Sequence, residues 1–504
     1  MLSRRTRSLD EQRSGPPPLL ILANRAPVRH ERDDSGALRS SRSASGLVTA
    51  LEPLAESVSA TWIAHGDPLD LAAAERAGHL PVPAERPRYQ IRYVGVDAAR
   101  YQGYYEGFAN EGIWPLCHSA GVDPIFRWRD YRDYRAVNRQ FADAVCEEAV
   151  GSAPAVLVQD YHFALAPALI RRRLPGSSIL TFWHIPWPGP GMVERCPWMR
   201  DLVKGLLGSD TVGFQTPDDC QRFLQAVTRL LRGARVSGDS VQHEGRVTRV
   251  RALPVGVDAD AASLLGVADA AVCRSAVFDE YGLSADVRLG VGVDRLDYSK
   301  GIPEKFLAIE RLLERRPDLR GRFAFIQIAE PSRAALPAYQ RIRSAVLQIA
   351  ERVNRRFGHP SWNPIIVRTA HADSQEVYRL YRAADLCFVN SLADGMNLVA
   401  KEFVAARDDE RGVLLISTQA GASRQLTEAL PVVPDRTTDA AMQLDAALRM
   451  SDAEQRLRMR AMRAVVKASD CYWWASQLLQ ACVPCERPST AWTWRAGTAT
   501  LQEA

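Results

Sequence analysis

The sequence predicts an α/β protein made of two Rossmann-like lobes facing each other across a cleft. Three observations predict it. Short apolar runs alternate with longer helical patterns from Leu19 onward, the alternation starts afresh near Gly256, and 504 residues suffice for two ordinary cores.

Residues 1–18 carry arginines, serines and three consecutive prolines but no apolar stretch, so they read as a disordered tail, neither a secretory signal nor a membrane anchor. The first lobe is expected over residues 19–255. Its strands are predicted at Leu19–Ala23, Thr61–Ala64, Tyr89–Val96, Val156–Gln159, Ile179–Trp183 and Thr211–Phe214, with helical periodicity at Tyr134–Ala149 and Asp218–Leu231. The segment Leu253–Asp258 closes this lobe.

The second lobe is expected over 256–470. Strands are predicted at Leu289–Val293, Phe323–Ile328, Ile365–Val367, Leu386–Val389 and Val413–Ser417, and helices at Pro303–Arg315 and Met396–Arg407. Residues 471–487 read as a helix that packs back on the first lobe, and 488–504 as a loose tail. In sheets of this kind ligands meet the carboxyl ends of the strands.

Composition narrows the function classes. At 46% hydrophobic and 24% charged the chain is not disordered, and a net charge of +5, with bases and acids interleaved, argues against nucleic acid or a membrane surface as partner. No run approaches the roughly eighteen apolar residues of a spanning helix. Nine cysteines without repeating spacing fit a reducing compartment, so the expected location is the cytoplasm. Cys482 and Cys485 form a C-x-x-C pair with no second pair or paired histidines, and read as ordinary thiols. Only five of 64 basic residues are lysines, so Lys300 and Lys401 stand out beside the candidate segments.

Two segments carry the chemistry. The strand Leu289–Val293 runs into Asp294-Arg295-Leu296-Asp297-Tyr298-Ser299-Lys300-Gly301, then Ile302-Pro303, a helix-opening signal. Two cations on a strand-to-helix loop can clamp a diphosphate and stabilise the charge that grows there as a sugar bond breaks, without a metal. By itself the loop is equally compatible with two solvated charges. The strand Leu386–Val389 ends in Asn390-Ser391-Leu392-Ala393-Asp394-Gly395-Met396-Asn397-Leu398-Val399-Ala400-Lys401-Glu402. Backbone N–H groups from Met396 onward are expected to open a helix whose positive end receives phosphate oxygens, with Glu402 placed to accept from ribose hydroxyls. Alone, this segment reads equally as an ordinary capped helix. Together the two junctions lie on the same side of one predicted sheet, as a nucleotide-sugar pocket requires.

Arg295-Leu-Asp-Tyr-Ser-Lys300-Gly with Asp394-Gly-Met-Asn-Leu-Val-Ala-Lys-Glu402 resembles the trehalose-6-phosphate synthases, family-20 retaining glycosyltransferases of GT-B architecture. The likeness covers roughly Leu19 to Val483, with Asn24-Arg25-Ala-Pro-Val, Tyr104-Tyr105 to Trp114-Pro115, Gln159-Asp160-Tyr161-His162, His184-Ile-Pro-Trp-Pro188, Gly213-Phe214-Gln215-Thr216 and Leu253-Pro-Val-Gly-Val-Asp258 in the same order. The resemblance implies transfer of glucose from UDP-glucose, or GDP- or ADP-glucose in some members, to glucose 6-phosphate.

It also implies roles by position. Arg295 and Lys300 hold the donor diphosphate, Glu402 the ribose, and Asp394 with Met396, Asn397, Leu398 and Val399 the transferred glucose and phosphates. His184 touches that glucose, and Gly46 belongs to the first-lobe donor loop. Arg25, Tyr105, Trp114 and Arg333 match positions that bind the acceptor phosphate, and Asp160 the carboxylate that holds acceptor hydroxyls. Arg295, Lys300, Asp160 and His184 are the expected catalytic group. No metal or other cofactor is expected, a homo-oligomer is compatible with the sequence, and dephosphorylation is expected to need a separate protein.

Three positions depart from the family pattern. Ser45 stands where a glycine precedes Gly46, Ala393 where an arginine is usual, and Ala372 where an aromatic near the base occurs. They leave open the donor nucleotide and two alternatives: a sister enzyme with a glycerol-phosphate or cyclitol acceptor, and a catalytically silent sugar-phosphate sensor. A Rossmann dehydrogenase is excluded, because no strand is followed by G-x-G-x-x-G with a distal acid.

Overall fold

The chain enters its first sheet at Pro18, whose carbonyl accepts the Ala155 amide. The structure, a computed structural model, describes residues 18–33, 35–42, 46–75, 79–482, 491–495 and 498–502. The predicted tail up to residue 17, Ser45, Cys485 and the end of the segment expected to run to 487 lie outside the described residues.

The first sheet holds β1 (Leu19–Leu22), β4 (Thr61–His65), β5 (Leu80–Val82), β6 (Tyr89–Val94), β7 (Ala155–Gln159), β8 (Ser178–Phe182), β9 (Thr211–Phe214), β10 (Arg235–Ser237), β11 (Ser240–His243) and β12 (Arg246–Ala252). A separate hairpin pairs β2 (Val28–Arg32) with β3 (Leu38–Arg42). The sheet order is β10-β11-β12-β9-β8-β7-β1-β4-β6-β5. Its centre is parallel, with Leu20 opposite both Thr61 and Val156. The antiparallel additions β5, β10 and β11 sit at the edges. Sequence reading missed them because β5 and β10 are only three residues long and β10 and β11 are mostly polar, and an edge strand needs apolar residues on one face at most.

The second sheet is wholly parallel in the order β15-β14-β13-β16-β17-β18, from β13 (Arg288–Arg295), β14 (Phe323–Glu330), β15 (Ile365–Arg368), β16 (Leu386–Val389), β17 (Val413–Ser417) and β18 (Leu430–Val432). Both sheets reverse direction of growth beside their first strand. In the first, β4 and β7 flank β1; in the second, β14 and β16 flank β13. Each reversal opens a crevice at the carboxyl ends, where adjacent connections leave to opposite sides.

The helix predicted over Met396–Arg407 begins instead at Leu398. Asn397 sits at φ 74°, off the helical region, and its side chain accepts the Ala400 amide as an N-cap. Helix Trp128–Glu148 starts six residues before the predicted Tyr134, and residues 98–118 form a helical run, largely of π type, that the glycine-rich sequence does not advertise. In place of the loose tail expected from 488, Ala491–Arg495 pairs antiparallel with Thr498–Gln502, in keeping with the β-forming Trp492, Thr493, Trp494, Thr498 and Thr500.

One apolar core is continuous between the lobes. Leu253, Val255 and Val257 leave the first sheet and pack with Trp474, Leu478 and Cys482 of helix Cys471–Cys482. That helix rests on the first lobe: the Trp474 indole donates to the Leu253 carbonyl at 3.0 Å, and Thr211 Oγ1 donates to the Ala481 carbonyl at 3.1 Å. Gly256 permits the contact, because a Cβ there would stand 2.3 Å from the Ser469 carbonyl oxygen. No helix among the described residues is long and apolar enough to cross a membrane.

Candidate active site

Most candidate side chains of the first lobe follow a strand on the same edge, whereas Tyr105 and Trp114 come from the helical run of residues 98–118. Arg25 follows β1, Gln159 and Asp160 end β7, His184 follows β8, and Gln215 follows β9. The second lobe answers with Arg295 at the end of β13, Arg333 after β14 and the Asp394 segment after β16. The crevices of the two sheets meet here.

Three arginines converge on Tyr105. Burial alone would raise its phenol, but Arg333, Arg25, which hydrogen-bonds it, and Arg295 outweigh burial and bring it down to about 8. The guanidinium groups of Arg333 and Arg295 stand 4.1 and 5.5 Å from the ring of Trp114. The buried Trp114 Nε1 and Arg333 Nε have no hydrogen-bond partner among the described residues. So much unpaired N–H and positive charge in a dry corner is a receptacle for a dianion.

Arg333 itself is braced. Its Nη1 donates to Asp297 Oδ2 at 3.2 Å and to the Tyr339 hydroxyl, and its Nη2 donates to the Tyr161 hydroxyl at 3.3 Å. Burial would raise the Asp297 carboxyl, yet Arg333 and Arg295 hold it at about 2. Asp297, Tyr161 and Tyr339 therefore support the site, and sequence reading missed them. Asp297 and Tyr161 carry a signal only as members of matched segments, and Tyr339 carries none.

Asp160 stands at the floor. Its Oδ1 accepts the amides of Tyr161 at 2.9 Å and His184 at 3.1 Å. Burial pushes the carboxyl up to about 7 against those bonds and against Arg333 and Arg295. Burial likewise lowers His184 to about 3, so its imidazole is neutral. Asp160, Arg333 and Asn397 are three of the seven described non-glycine residues at positive φ, which concentrates backbone strain at the site.

In the second lobe the Lys300 Nζ donates to Asp394 Oδ2 at 2.5 Å, and Asn397 Nδ2 donates to the same oxygen at 3.1 Å. Burial opposes ionisation of Asp394, but Lys300 outweighs it and lowers the carboxyl. Lys300 is thus paired within the chain, whereas Arg295 has no carboxylate ion-pair partner among the described residues. Glu402, expected at the ribose, accepts from the Tyr381 hydroxyl at 3.2 Å and is raised by burial.

The lobes touch through glycines. A Cβ on Gly395 would stand 2.0 Å from the His184 carbonyl oxygen, and one on Gly46 would stand 2.9 Å from Leu398 Cδ1. The segment that follows β16 in one lobe therefore abuts the loops of the other. Ala393 is half-buried, with its amide 3.4 Å from the Ser299 carbonyl, and Ala372 packs against the shared core. Among the described residues no group of three His, Cys, Asp or Glu is arranged to hold a metal ion.

Two doubly wound lobes meeting over paired cationic and carboxylate groups define the GT-B class of glycosyltransferase. Residues 17–483 match the family described as Glycosyltransferase family 20, and the chain belongs to that family. It is 36% identical over 475 residues to the trehalose-6-phosphate synthase of Mycobacterium avium (strain 104), covering 92% of this chain and 94% of that one. Among solved structures, the trehalose-6-phosphate protein from E. coli bound with UDP-2-fluoro glucose superposes with a TM-score of 0.81 at 29% identity, covering 92% of this chain and 98% of that one. An α,α-trehalose-phosphate synthase from Burkholderia xenovorans in complex with glucose-6-phosphate gives 0.79 at 30%, covering 92% and 99%.

Proposed function

We propose that this protein makes α,α-trehalose 6-phosphate, transferring glucose from UDP-glucose to the anomeric hydroxyl of glucose 6-phosphate. The observation that carries the reading is the convergence of Arg25, Arg295 and Arg333 on Tyr105, with Trp114 Nε1 unpaired beside them. In this reading that corner receives the acceptor phosphate, and Asp160 beside it accepts sugar hydroxyls. The relatives bound to a UDP-glucose analogue and to glucose-6-phosphate support the same pair of substrates.

In this reading Arg295 and Lys300 hold the donor diphosphate, and the N–H groups that open the Leu398–Ala406 helix meet phosphate oxygens. Glu402 takes the ribose, while Asp394 and His184 take the transferred glucose. The acceptor hydroxyl attacks the anomeric carbon on the face the diphosphate leaves. As that carbon–oxygen bond breaks, the departing phosphate oxygen takes the acceptor proton, so no carboxylate is needed as a covalent nucleophile. Arg295 and Lys300 stabilise the growing negative charge, without a metal ion, and the abutting lobes exclude water. The eight described cysteines are free thiols, which supports a cytoplasmic setting.

The test is incubation of purified protein with glucose 6-phosphate and UDP-, GDP- or ADP-glucose, read by mass spectrometry and anomeric NMR. An α,α-linked disaccharide phosphate is expected with UDP-glucose, at a rate that EDTA leaves unchanged. No disaccharide phosphate from any donor overturns the proposal.

A further inference from the structure

A neutral imidazole carries one N–H and one lone pair, and what it offers its neighbours depends on which nitrogen holds the proton. Around His184 the structure supplies a side-chain amide on each side. Gln159 Oε1 lies 2.7 Å from Nε2, and Gln215 Nε2 lies 3.5 Å from Nδ1. A side-chain amide can be turned end for end, so neither glutamine alone decides the tautomer.

The backbone decides it. The Val255 N–H donates to Gln215 Oε1 at 3.0 Å. A backbone N–H can only donate, so the Gln215 oxygen must face Val255 and its NH2 must face His184. Nδ1 is therefore the acceptor and Nε2 carries the proton. Gln159 must then turn its oxygen toward Nε2. That leaves the Gln159 NH2, on a residue only 1% exposed, without a partner among the described residues. An unpaired buried donor beside Asp160 is costly unless a ligand oxygen meets it.

Val255 is itself gripped from the other lobe, because the Lys401 Nζ donates to its carbonyl at 2.6 Å. Lys401 lies next to Glu402 on the helix Leu398–Ala406. Lys401, Val255, Gln215, His184 and Gln159 thus form one hydrogen-bonded series from the second-lobe helix, through the crossover between lobes, into the first-lobe site.

We propose that Gln215 is a positioning residue: anchored on the Val255 amide, it holds His184 as the Nε2–H tautomer and so frees the Gln159 NH2 for a sugar oxygen in the cleft. The catalytic consequence rests on the transfer reaction proposed above; the tautomer does not.

The experiment labels the full chain with 15N-histidine and reads ring protonation by long-range 1H–15N NMR without substrates, His184 being assigned by loss of its signals in His184→Asn. The wild type is expected to show a protonated Nε2 and a bare Nδ1. Gln215→Glu keeps an acceptor for Val255 but offers Nδ1 only an acceptor, so a proton is expected on Nδ1. Gln215→Met, of similar length without polar atoms, is expected to give a mixture, and decides the matter if the glutamate variant does not fold. Both variants are expected to lower kcat about tenfold, with KM for glucose 6-phosphate within about twofold of wild type. A proton on Nδ1 in the wild type, or one unchanged tautomer in all three proteins, overturns the proposal. Absence of transferase activity would sink the proposed function while leaving the NMR result to stand or fall by itself.

Discussion

Tyr105 offers the sharpest pH test of the proposed acceptor site. Its phenol, held at about 8 by Arg333, Arg25 and Arg295 against burial, loses its proton just above neutrality. A phenolate there would repel the acceptor phosphate, so only the neutral form should bind it. With a pKa of about 8, roughly one molecule in eleven keeps the proton at pH 9, and kcat/KM for glucose 6-phosphate should fall about elevenfold from its plateau. Asp160, raised to about 7 by burial, must be ionised to accept sugar hydroxyls, and limits the acid side in the same proportion at pH 6. The expected profile is a narrow bell with limbs near 7 and 8. Binding of the nucleotide diphosphate, measured by calorimetry, should lack the alkaline limb. Tyr105→Phe should remove that limb and raise KM for glucose 6-phosphate about tenfold, the loss of one hydrogen bond to a charged group. Tyrosinate absorbance at about 295 nm gives an independent reading of the same ionisation. The linkage has a definite sign: a depressed phenol contributes stability that is complete above pH 10 and is lost as pH falls through about 8. A wild-type profile flat to pH 9.5, or an alkaline limb that survives in Tyr105→Phe, refutes the reasoning.

Three further outcomes are expected. Asp160 has a folded pKa above its ordinary value, so its ionisation costs stability as pH rises from about 4 through about 7. Asp160→Asn keeps an oxygen for the Tyr161 and His184 amides, and should raise Tm at pH 8 but not at pH 4 while lowering acceptor kcat/KM at least about tenfold; a lower Tm at pH 8 would contradict this. Lys300→Ala leaves Asp394 with Asn397 and Ser391 as hydrogen-bond partners and deprives the diphosphate of a cation, so single-turnover kinetics should show a loss of about a hundredfold or more. Turnover within tenfold of wild type would remove Lys300 from the clamp. Gly395→Ala puts a methyl 2.0 Å from the His184 carbonyl oxygen, so the lobes should separate. The radius of gyration by X-ray scattering should grow and transfer should fall more than about a hundredfold; full activity at an unchanged radius would refute the close contact.

The parallel core strands were legible because each is buried on both faces and must read as a short apolar run. β13, as Leu-Gly-Val-Gly-Val within Arg288–Arg295, is the clearest case. The matched segments around Arg295, Lys300 and Asp394 were legible because strand-to-helix junctions have their own chemistry. What escaped was held by partners distant in the chain. Nothing local marks Asp297 or Tyr161 as braces for Arg333, residues 36 and 172 positions away being joined to it only by the fold. In the sequence Asp297 is one more polar residue of the loop that carries the two cations, and only its complete burial makes it a buttress. The start of the helix at Leu398 was missed because a positive φ at Asn397 is imposed by its bonds to Asp394 and Ala400, not by propensity.

By itself the sequence determined the two α/β lobes, the junctions where polar groups gather and the family resemblance, because periodicity and junction chemistry are local properties of a chain. Tertiary structure alone decided how those groups share charge and protons. Three arginines from two lobes set the ionisation of one phenol, and a single backbone N–H at Val255 orients Gln215 toward His184. Such effects depend on distance through a dry interior, where a few ångströms change which group is charged, and that distance exists only once both sheets have brought their carboxyl ends together.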